Sequence, residues 1–593
     1  MLSRGQACRI ARRLQCRQLT TKQQQHPDTV FSSRIVPSPS SLRPPRPKDQ
    51  PKSRVPVKTL AALLLAGVGF FAYDRTHGRC LSRTARTGVT AILLAIDYKL
   101  NFNPDNAENI MALHERAAQR MYDCIVANGG LYVKVGQTIG MQSAVLPEPY
   151  SRLFSNLFDG APQVPWSEAA KIFEDDFGRP IEEVFAQIDH RATAAASIAQ
   201  VHKAVLKSGE VVAVKVQKPE IQHQVEWDLW AYRVLLKVYE RIFDIPLSFT
   251  ADYTCSHLLD ETDFRLEKEN SKRMQRFIDS ESSLAERIYT PKIYDEYCSR
   301  RIMTAEWIDG VRATDSAKIE KMGFSKSQTM RAVVDTFSAQ MFKFGWLHCD
   351  PHPGNLFVRP HPRTGKFQMV VIDHGLYIKE SDTFREQYCL FWKSLFLNDM
   401  TTLRTIAESW GVGAPDLLAS ATLLRPYRHD PSIRQTSHTV PKTEKERKEE
   451  AYAAQVAVKE KIKDFLKDQE KIPQELLFIG RNMRIVQANN QAMGSPVNRI
   501  SITAKWASAS LGSSASTGLA SRIKNALSHA RFLVTVGILD FGFWAYEMKR
   551  WVGSGFGLLR DTSGGFEDEI QRNLKLMAKE QFGIEINDQA FAG

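Results

Sequence analysis

LHCDPHPGNLFVRPHPRTGKFQMVVIDHG, residues 347–375, is the stretch on which the reading of this chain turns. Asp350 is followed five residues later by Asn355, and Asp373 comes eighteen after that, ahead of His374 and Gly375. Leu356–Val358 and Met369–Ile372 read as short buried strands flanking a turn at Arg363-Thr364-Gly365. Such a hairpin brings Asn355 beside Asp373. The set suits phosphoryl transfer. One carboxylate, Asp350, orients the proton of an attacking group, while the amide oxygen of Asn355 and the carboxylate of Asp373 hold Mg²⁺ against nucleotide phosphates. A Pro/Gly turn with a solvated Asp is the bland alternative, and it leaves the matching parts upstream without an explanation.

Those parts begin at residues 184–217, where VFAQIDH, IAQVHKAVL and EVVAVKVQ alternate as strands around a turn at Ser208-Gly209. Lys215 sits among alternating apolar neighbours, so it occupies a half-buried strand and needs an anionic partner. It is the candidate for the lysine that contacts nucleotide phosphates. The turn before it, where a glycine-rich phosphate loop is expected, reads Ala194-Ala195-Ala196-Ser197. Alanine disfavours positive φ, so this turn cannot wrap phosphates as glycines do. Residues 260–274 read as a helix with Asp263, Glu267, Asn270 and Met274 on one face and Glu261 just before them. A partner for Lys215 has to come from here. Arg301–Glu306 reads as a strand entering an interlobe hinge near Trp307–Gly310, which makes Glu306 and Ile308 candidate nucleotide contacts. Residues 325–346 read as the helix leading into the catalytic loop. Further upstream, residues 107–127 form an amphipathic helix, Asn128-Gly129-Gly130 ends it, and a second helix runs from Leu131 to about Ala144. That second helix carries Lys134, Gly136 and Gln137 as K-x-G-Q, a weak signal in isolation.

The formal charge of +13 is unevenly spread. Residues 1–58 hold thirteen lysines and arginines against only Asp28 and Asp49, so the rest of the chain is near neutral. A nucleic-acid-binding body is therefore not expected. The first 25 residues are Arg-rich and free of acids, as mitochondrial transit peptides are, so residues 1–30 are read as such a peptide, the alternative being a disordered basic tail. Residues 31–57 form a basic Pro/Ser-rich linker. Thr59–Tyr73, TLAALLLAGVGFFAY, is uncharged. As a helix it rises roughly 22 Å against a hydrocarbon core of ~30 Å, a span that Lys58 and Arg75 can stretch by snorkelling. Residues 58–75 are read as a transmembrane anchor in preference to a buried core helix. Behind a transit peptide this gives a single-pass inner-membrane protein with its body facing the intermembrane space. Ala91–Ile96 is too short to span and reads as a packed helix. The eight cysteines show no CxxC pair, so no zinc site or disulfide framework is legible.

In the tail, residues 440–472 form a charged helix with a solvated face. Residues 532–546 are strongly apolar but carry Asp540, and a mid-span charge costs ~2.5–3.5 kcal/mol on insertion scales. A helix packed on the second lobe or lying at a membrane surface is preferred to a second span.

K-V-G-Q, AAAS, VAVKV, ETDFRLEKEN, HCDPHPGN and the D-H-G motif, in this order, resemble the UbiB (aarF-domain) family of atypical kinases over roughly residues 105–500, up to GSPVNRI. The D-H-G motif, with His374 where ubiquinone-associated members carry Phe, is similar to the fungal mitochondrial branch. The resemblance implies an α+β, protein-kinase-like two-lobed fold, with a helical K-x-G-Q extension (87–183), an N-lobe (184–308), a C-lobe (309–430) and a helical C-terminal region (431–593). It implies that Lys215 contacts phosphates with Glu261 as its ion-pair partner ahead of Glu267, and that Ala194–Ser197 take the place of the glycine loop. Asp350 would be catalytic, Asn355 and Asp373 would bind Mg²⁺, and Lys134, Gly136 and Gln137 would form a lid. The implied cofactors are ATP or ADP and Mg²⁺. The implied partners are mitochondrial membrane lipids or coenzyme Q-related small molecules, with inner-membrane proteins besides. No A-P-E motif follows Asp373; Ala414-Pro415-Asp416 is better read as a helix start. A peptide substrate therefore has little platform. The rival readings are a pseudokinase scaffold or lipid-binding module, a protein kinase, and a small-molecule phosphotransferase.

Overall fold

The computed structural model describes residues 69, 72–74, 78–103, 106, 109–140, 147–158, 162–244, 248–412, 415–423, 473–511, 519–555, 565–568 and 572. The transit-peptide and linker expectations, nearly all of the expected anchor and the charged helix at 440–472 lie outside the described residues. Among the described residues no helix is long and apolar enough to cross a membrane.

The described body opens at Asp74, which is buried and whose carboxylate accepts the N–H groups of Leu81 (2.9 Å) and Ser82 (3.2 Å). This ties Asp74 to the first turn of α1 (Cys80–Asn101). Helix α2 (Ile110–Asn128) packs on α1. It stops where Gly129 and Gly130 take φ of +63° and +54°, a region open to glycine at little cost. They turn the chain into α3 (Leu131–Gly140), the K-x-G-Q helix, followed by α4 (Glu148–Phe154) and α5 (Trp166–Phe177).

The first lobe is an antiparallel sheet of β1 (Phe185–Ile188), β2 (Ala194–Ala195), β3 (Ala199–Leu206), β4 (Val211–Gln217) and β6 (Ile302–Glu306), in the order β1-β3-β4-β6 with β2 on β3. Val212, Val214 and Val216 point to one face and bury against Ile172 and Phe173 of α5. The strand's period of two therefore sends Lys215 to the other face. Helices α6 (Ile221–Phe243), α7 (Ser248–Asp260) and α8 (Phe264–Asp279) follow. The single helix expected over 260–274 is broken. Asp263 caps α8 by accepting the Arg265 N–H (3.1 Å), leaving Glu261 and Thr262 in the turn before it.

In the second lobe the sheet order is β5 (Ile288–Tyr289), β10 (Phe367–Val371), β9 (Leu356–Pro360), β7 (Val311–Arg312). Helix α9 (Lys326–Ala339) continues into a π-turn at Gln340–Phe344. It delivers β8 (Trp346–His348), which pairs with β11 (Tyr377–Lys379). Phe342, Tyr388, Phe391 and Trp392 fill a core between that turn and α10 (Asp382–Leu397). A helix at Pro415–Leu423 stands where Ala414-Pro415-Asp416 was read as a helix start. Helices α11 (Glu475–Ala492), α12 (Arg499–Leu511) and α13 (Leu519–Gly555) complete the lobe. Phe532 and Val536 of α13 are buried in this core. Asp540 pairs with Lys505 of α12 (2.6 Å), so the charge weighed against a span is spent on the protein. An apolar row of α13, from Val534 and Ile538 to Phe541 and Trp544, stays exposed.

Candidate active site

The hairpin β9–β10 runs in register from Phe367 opposite Pro360 to Val371 opposite Leu356. The Ile372 N–H donates to the Asn355 carbonyl (3.0 Å), which sets Asn355 beside the Asp373 segment. Two buried histidines lock the loops on either side. His348 accepts the Asp350 N–H at Nδ1 (2.9 Å), so its proton is on Nε2 and is donated to the Asp373 carbonyl. His374 donates from Nε2 to the Val371 carbonyl (3.0 Å) and accepts the Tyr377 hydroxyl at Nδ1 (2.8 Å). Where a phenylalanine would hold this loop by packing alone, the histidine adds two hydrogen bonds.

Burial keeps both rings neutral, with His348 below its ordinary value and His374 lowered to about 3. The unfolded chain takes up these protons near pH 6.5 and the folded chain does not. Stability is therefore expected to fall as pH drops below about 6.5, by roughly 1.4 kcal/mol per unit for each such histidine. For His374 the loss continues down to about pH 3. Urea midpoints between pH 7 and pH 5 check the slope. His374→Phe should flatten it while orphaning the Tyr377 hydroxyl, at a cost of about 1–3 kcal/mol.

Lys215 reaches across to α8. Its Nζ donates to both carboxylate oxygens of Glu267, at 2.9 and 2.7 Å. This corrects the expected pairing with Glu261. Because α8 begins only at Phe264, Glu267 falls in its first turn and points inward, while Glu261 is left in the preceding turn. Glu261 instead pairs with Lys134 of α3 (3.1 Å). Burial alone would raise the Asp373 carboxyl, but Lys215 and then Lys134 outweigh it and hold it well below the usual carboxylate range. Burial disfavours the Lys215 charge, yet Glu267 and Asp373 raise its ammonium above the ordinary value. Glu261 raises Lys134 in the same way against the pull of burial.

These groups line one cavity of about 720 Å³, together with Ala195, Ala196, Ser197, Asp350, Asn355 and Gln137. Ala194 lies in β2, opposite Val201. The Ala196 N–H is committed to the Ala199 carbonyl (2.8 Å), so the turn closes on itself rather than offering that amide to a ligand. The Ser197 hydroxyl is buried at the wall and meets no hydrogen-bond partner among the described residues. Glu306 and Ile308 do not line the cavity. The Glu306 carboxylate is taken by Arg359 (2.9 Å) and the Tyr289 hydroxyl (2.6 Å), and its N–H by the Lys292 carbonyl (2.8 Å).

The K-x-G-Q helix forms one wall of the cavity. Gln137 donates to the Leu157 carbonyl (3.0 Å). Gly136 faces side chains: a Cβ there would overlap Leu157 Cδ1 and crowd Ile125 at 3.1 Å. Helix propensity favours Ala over Gly by ~1 kcal/mol, whereas overpacking costs about 1–3 kcal/mol. Gly136→Ala is expected to lower stability by about 1 kcal/mol, with Gly136→Val lower still, as melting curves would show.

The sequence reading missed the α11 face behind the Asp350 loop. Arg481 reaches Asp350 (3.3 Å), Asn482 donates to the His348 carbonyl (2.7 Å), and Asn489 donates to the Pro351 carbonyl (3.0 Å). A signal was present in RNMRIVQANNQ, because asparagines are poor helix formers and a run of them points to a tertiary role.

Hard cations such as Mg²⁺ take oxygen ligands, usually one or two carboxylates plus substrate phosphates. Asp373, held ionised, fits that donor set. So does Asn355, whose amide nitrogen is turned to the Asp350 carbonyl (3.3 Å), leaving its oxygen as donor. The ABC1 atypical kinase-like domain matches residues 156–407. An ABC1 family protein of Schizosaccharomyces pombe is 44% identical over 444 residues, 74% of this chain and 82% of that protein. A second, from Purpureocillium lilacinum, is 38% identical over 564 residues, 89% and 93% of the two chains. AarF domain-containing protein kinase 1 of Xenopus tropicalis is 33% identical over 368 residues, 60% and 70%. The lysine–glutamate pair, the Asp350–Asn355–Asp373 hairpin and these similarities lead to one conclusion: the chain belongs to the ABC1 (AarF-domain, UbiB) family of atypical kinase-like proteins and has its two-lobed α+β fold.

Proposed function

We propose that this protein is a mitochondrial atypical kinase or ATPase that binds Mg-adenine nucleotide and supports lipid and coenzyme Q homeostasis. The observation that carries the reading is the convergence of Lys215–Glu267, Asp350, Asn355 and Asp373 on one cavity walled by Lys134 and Gln137. Lys215, aimed by Glu267, would pair with nucleotide phosphates, and the Ser197 hydroxyl would donate to a phosphate oxygen. Asp350 would orient the proton of the attacking hydroxyl or water. Asn355 and Asp373 would hold Mg²⁺, which supplies charge screening for the phosphates. With the Lys134–Glu261 pair beside this cavity, a small or membrane-embedded acceptor suits it better than a peptide. Inner-membrane location, a single span at residues 58–75 and a body facing the intermembrane space belong to the same proposal, as do partners among membrane lipids, coenzyme Q-related molecules and inner-membrane proteins.

A second reading is a nucleotide-binding scaffold without phosphoryl transfer. The Arg481–Asp350 pair favours it, since it engages the carboxylate that would orient the attacking group. Mg-ATP binding and ATP hydrolysis measured on the full chain, with and without lipid vesicles, separate the two. Binding with turnover that Asp350→Asn abolishes supports the enzyme. Binding without turnover in either condition supports the scaffold.

A further inference from the structure

Helix α1 is amphipathic in the inverse sense. Its inward positions are Cys80, Arg83, Thr87, Ala91 and Ala95, while its outward row is Val89, Ile92, Leu93, Ile96 and Leu100. Ile92 is 60% exposed and Leu100 67%. Residues 91–96, expected as a packed helix, thus turn their largest side chains away from the protein. Small and polar groups suffice inward because α1 is held by polar bonds: Arg83 pairs with Asp228 of α6, Gln224 donates to the Gly78 carbonyl (2.9 Å), and the Tyr239 hydroxyl donates to the Ala91 carbonyl (2.9 Å).

These contacts advance along both helices together, so α1 and α6 lie parallel and adjacent. Helix α6 repeats the pattern. Ile221, Val225 and Leu229 are buried, whereas Trp227, Trp230, Val234 and Val238 face outward. Each helix turns its opposite side to the body, so the two outward rows lie side by side. Nine large apolar side chains are thus exposed on two adjacent helices, a concentration that scattered exposed residues do not show. Lys99, Lys237 and Arg241 are exposed along these helices, and Glu226 is the acid that joins the outward positions of α6.

We infer that the outward face of α1 and α6 docks on a lipid bilayer. Three observations select a bilayer over another occupant. The apolar run Thr59–Tyr73 ends at Tyr73, and Asp74, the next residue, is bonded to the first turn of α1. Six residues separate Tyr73 from Cys80, so the proposed span at residues 58–75 would end close to α1 along the chain. The composition is also that of an interfacial helix, with long aliphatic and tryptophan side chains bordered by lysine and arginine. A docked face would sit apolar side down with its cations at anionic headgroups. The inference rests on the proposed span at residues 58–75 and not on what the cavity binds.

The test uses the full chain reconstituted in vesicles of phosphatidylcholine and an anionic phospholipid in equal amounts. A fluorophore is attached at Leu93→Cys or Val234→Cys, with Gln187→Cys on β1 as control; the described native cysteines are buried or half-buried. Lipids brominated on the acyl chains should quench the labels at 93 and 234 by about twofold or more, as for groups lying roughly 5–10 Å into the headgroup–acyl boundary. The label at 187 should be unaffected. No quenching at 93 and 234 overturns the inference. Disulfide formation between copies through Leu93→Cys in place of quenching would assign the face to a second copy of this chain and also overturn it. Ile92→Glu/Ile96→Glu, changed only at exposed positions, should fold as the parent does and reduce quenching at 234; unchanged quenching would count against the inference.

Discussion

Glu267→Gln is expected to melt well below the parent and to lose ATP turnover, whereas Glu261→Gln melts closer to the parent and changes turnover only modestly. Glu267 is almost fully buried and receives two hydrogen bonds from Lys215. Removing one member of a buried pair leaves the other charge uncompensated, at a cost of 3–5 kcal/mol in closed sites. Lys215 borders the cavity and keeps some contact with solvent, so about 3 kcal/mol is expected. Glu261 makes a single contact with a lysine that stays 28% exposed, and its loss should cost less, about 1–2 kcal/mol. A double variant separates stability from chemistry. Lys215→Met/Glu267→Gln replaces the pair with neutral groups and should recover much of the stability, because neutral replacements of buried pairs are often tolerated. Its turnover should stay as low as that of Lys215→Met, since residues that act as one unit are not additive. If Glu261→Gln proves the more damaging single change, the pairing seen here is not the one that serves turnover.

The hairpin around Asn355 and Asp373 was legible because its determinants are local: two short apolar runs, a turn with Gly365, and motif residues at its ends. The strand register around Lys215 was legible for a similar reason, as alternation alone decides which face a residue takes. The partner of Lys215 was not. Choosing between Glu261 and Glu267 depends on where a helix begins, and the capping Asp263 shifts that start by a few residues. Such boundaries rest on a single side-chain hydrogen bond that competes with helix continuation. The partner of the Glu306 carboxylate, Arg359, lies fifty-three positions away, which no local pattern reveals. Arg481 lies further still from Asp350, beyond a stretch of chain with no motif of its own. Residues 91–96 do pack, through Ala91 and Ala95, but the outward row of α1 was not legible for a plainer reason. Periodicity identifies the apolar side of a helix but not whether protein or lipid covers it.

Asp373→Asn should remove the magnesium dependence of nucleotide binding while leaving metal-free binding near the parent level. The cavity gathers Glu261, Glu267, Asp350 and Asp373 against Lys134, Lys215 and Arg481. Two of the carboxylates are spent on lysines and Asp350 on Arg481. Asp373 is left to face Lys215 and Lys134 at longer range, its oxygen accepting only the Gly375 N–H (3.1 Å) among the hydrogen bonds seen. Its charge is therefore the one best placed to meet a divalent cation. Its depressed carboxyl stays ionised throughout the physiological range, and the stabilisation from that charge is lost only in strong acid, as pH falls through the folded value. Asparagine keeps the shape and one acceptor oxygen but removes the full charge from a hard-cation site. Mg-nucleotide should bind at least about tenfold more weakly, equivalent to roughly 1.4 kcal/mol. Calorimetric titrations of ATP into the parent and the variant, each in Mg²⁺ and in chelator, supply the four constants needed. Parent-like binding of Mg-nucleotide by a folded Asp373→Asn protein would assign the metal to other oxygens. A variant weakened equally with and without Mg²⁺ would show that Asp373 shapes the cavity through Lys215 rather than through a cation.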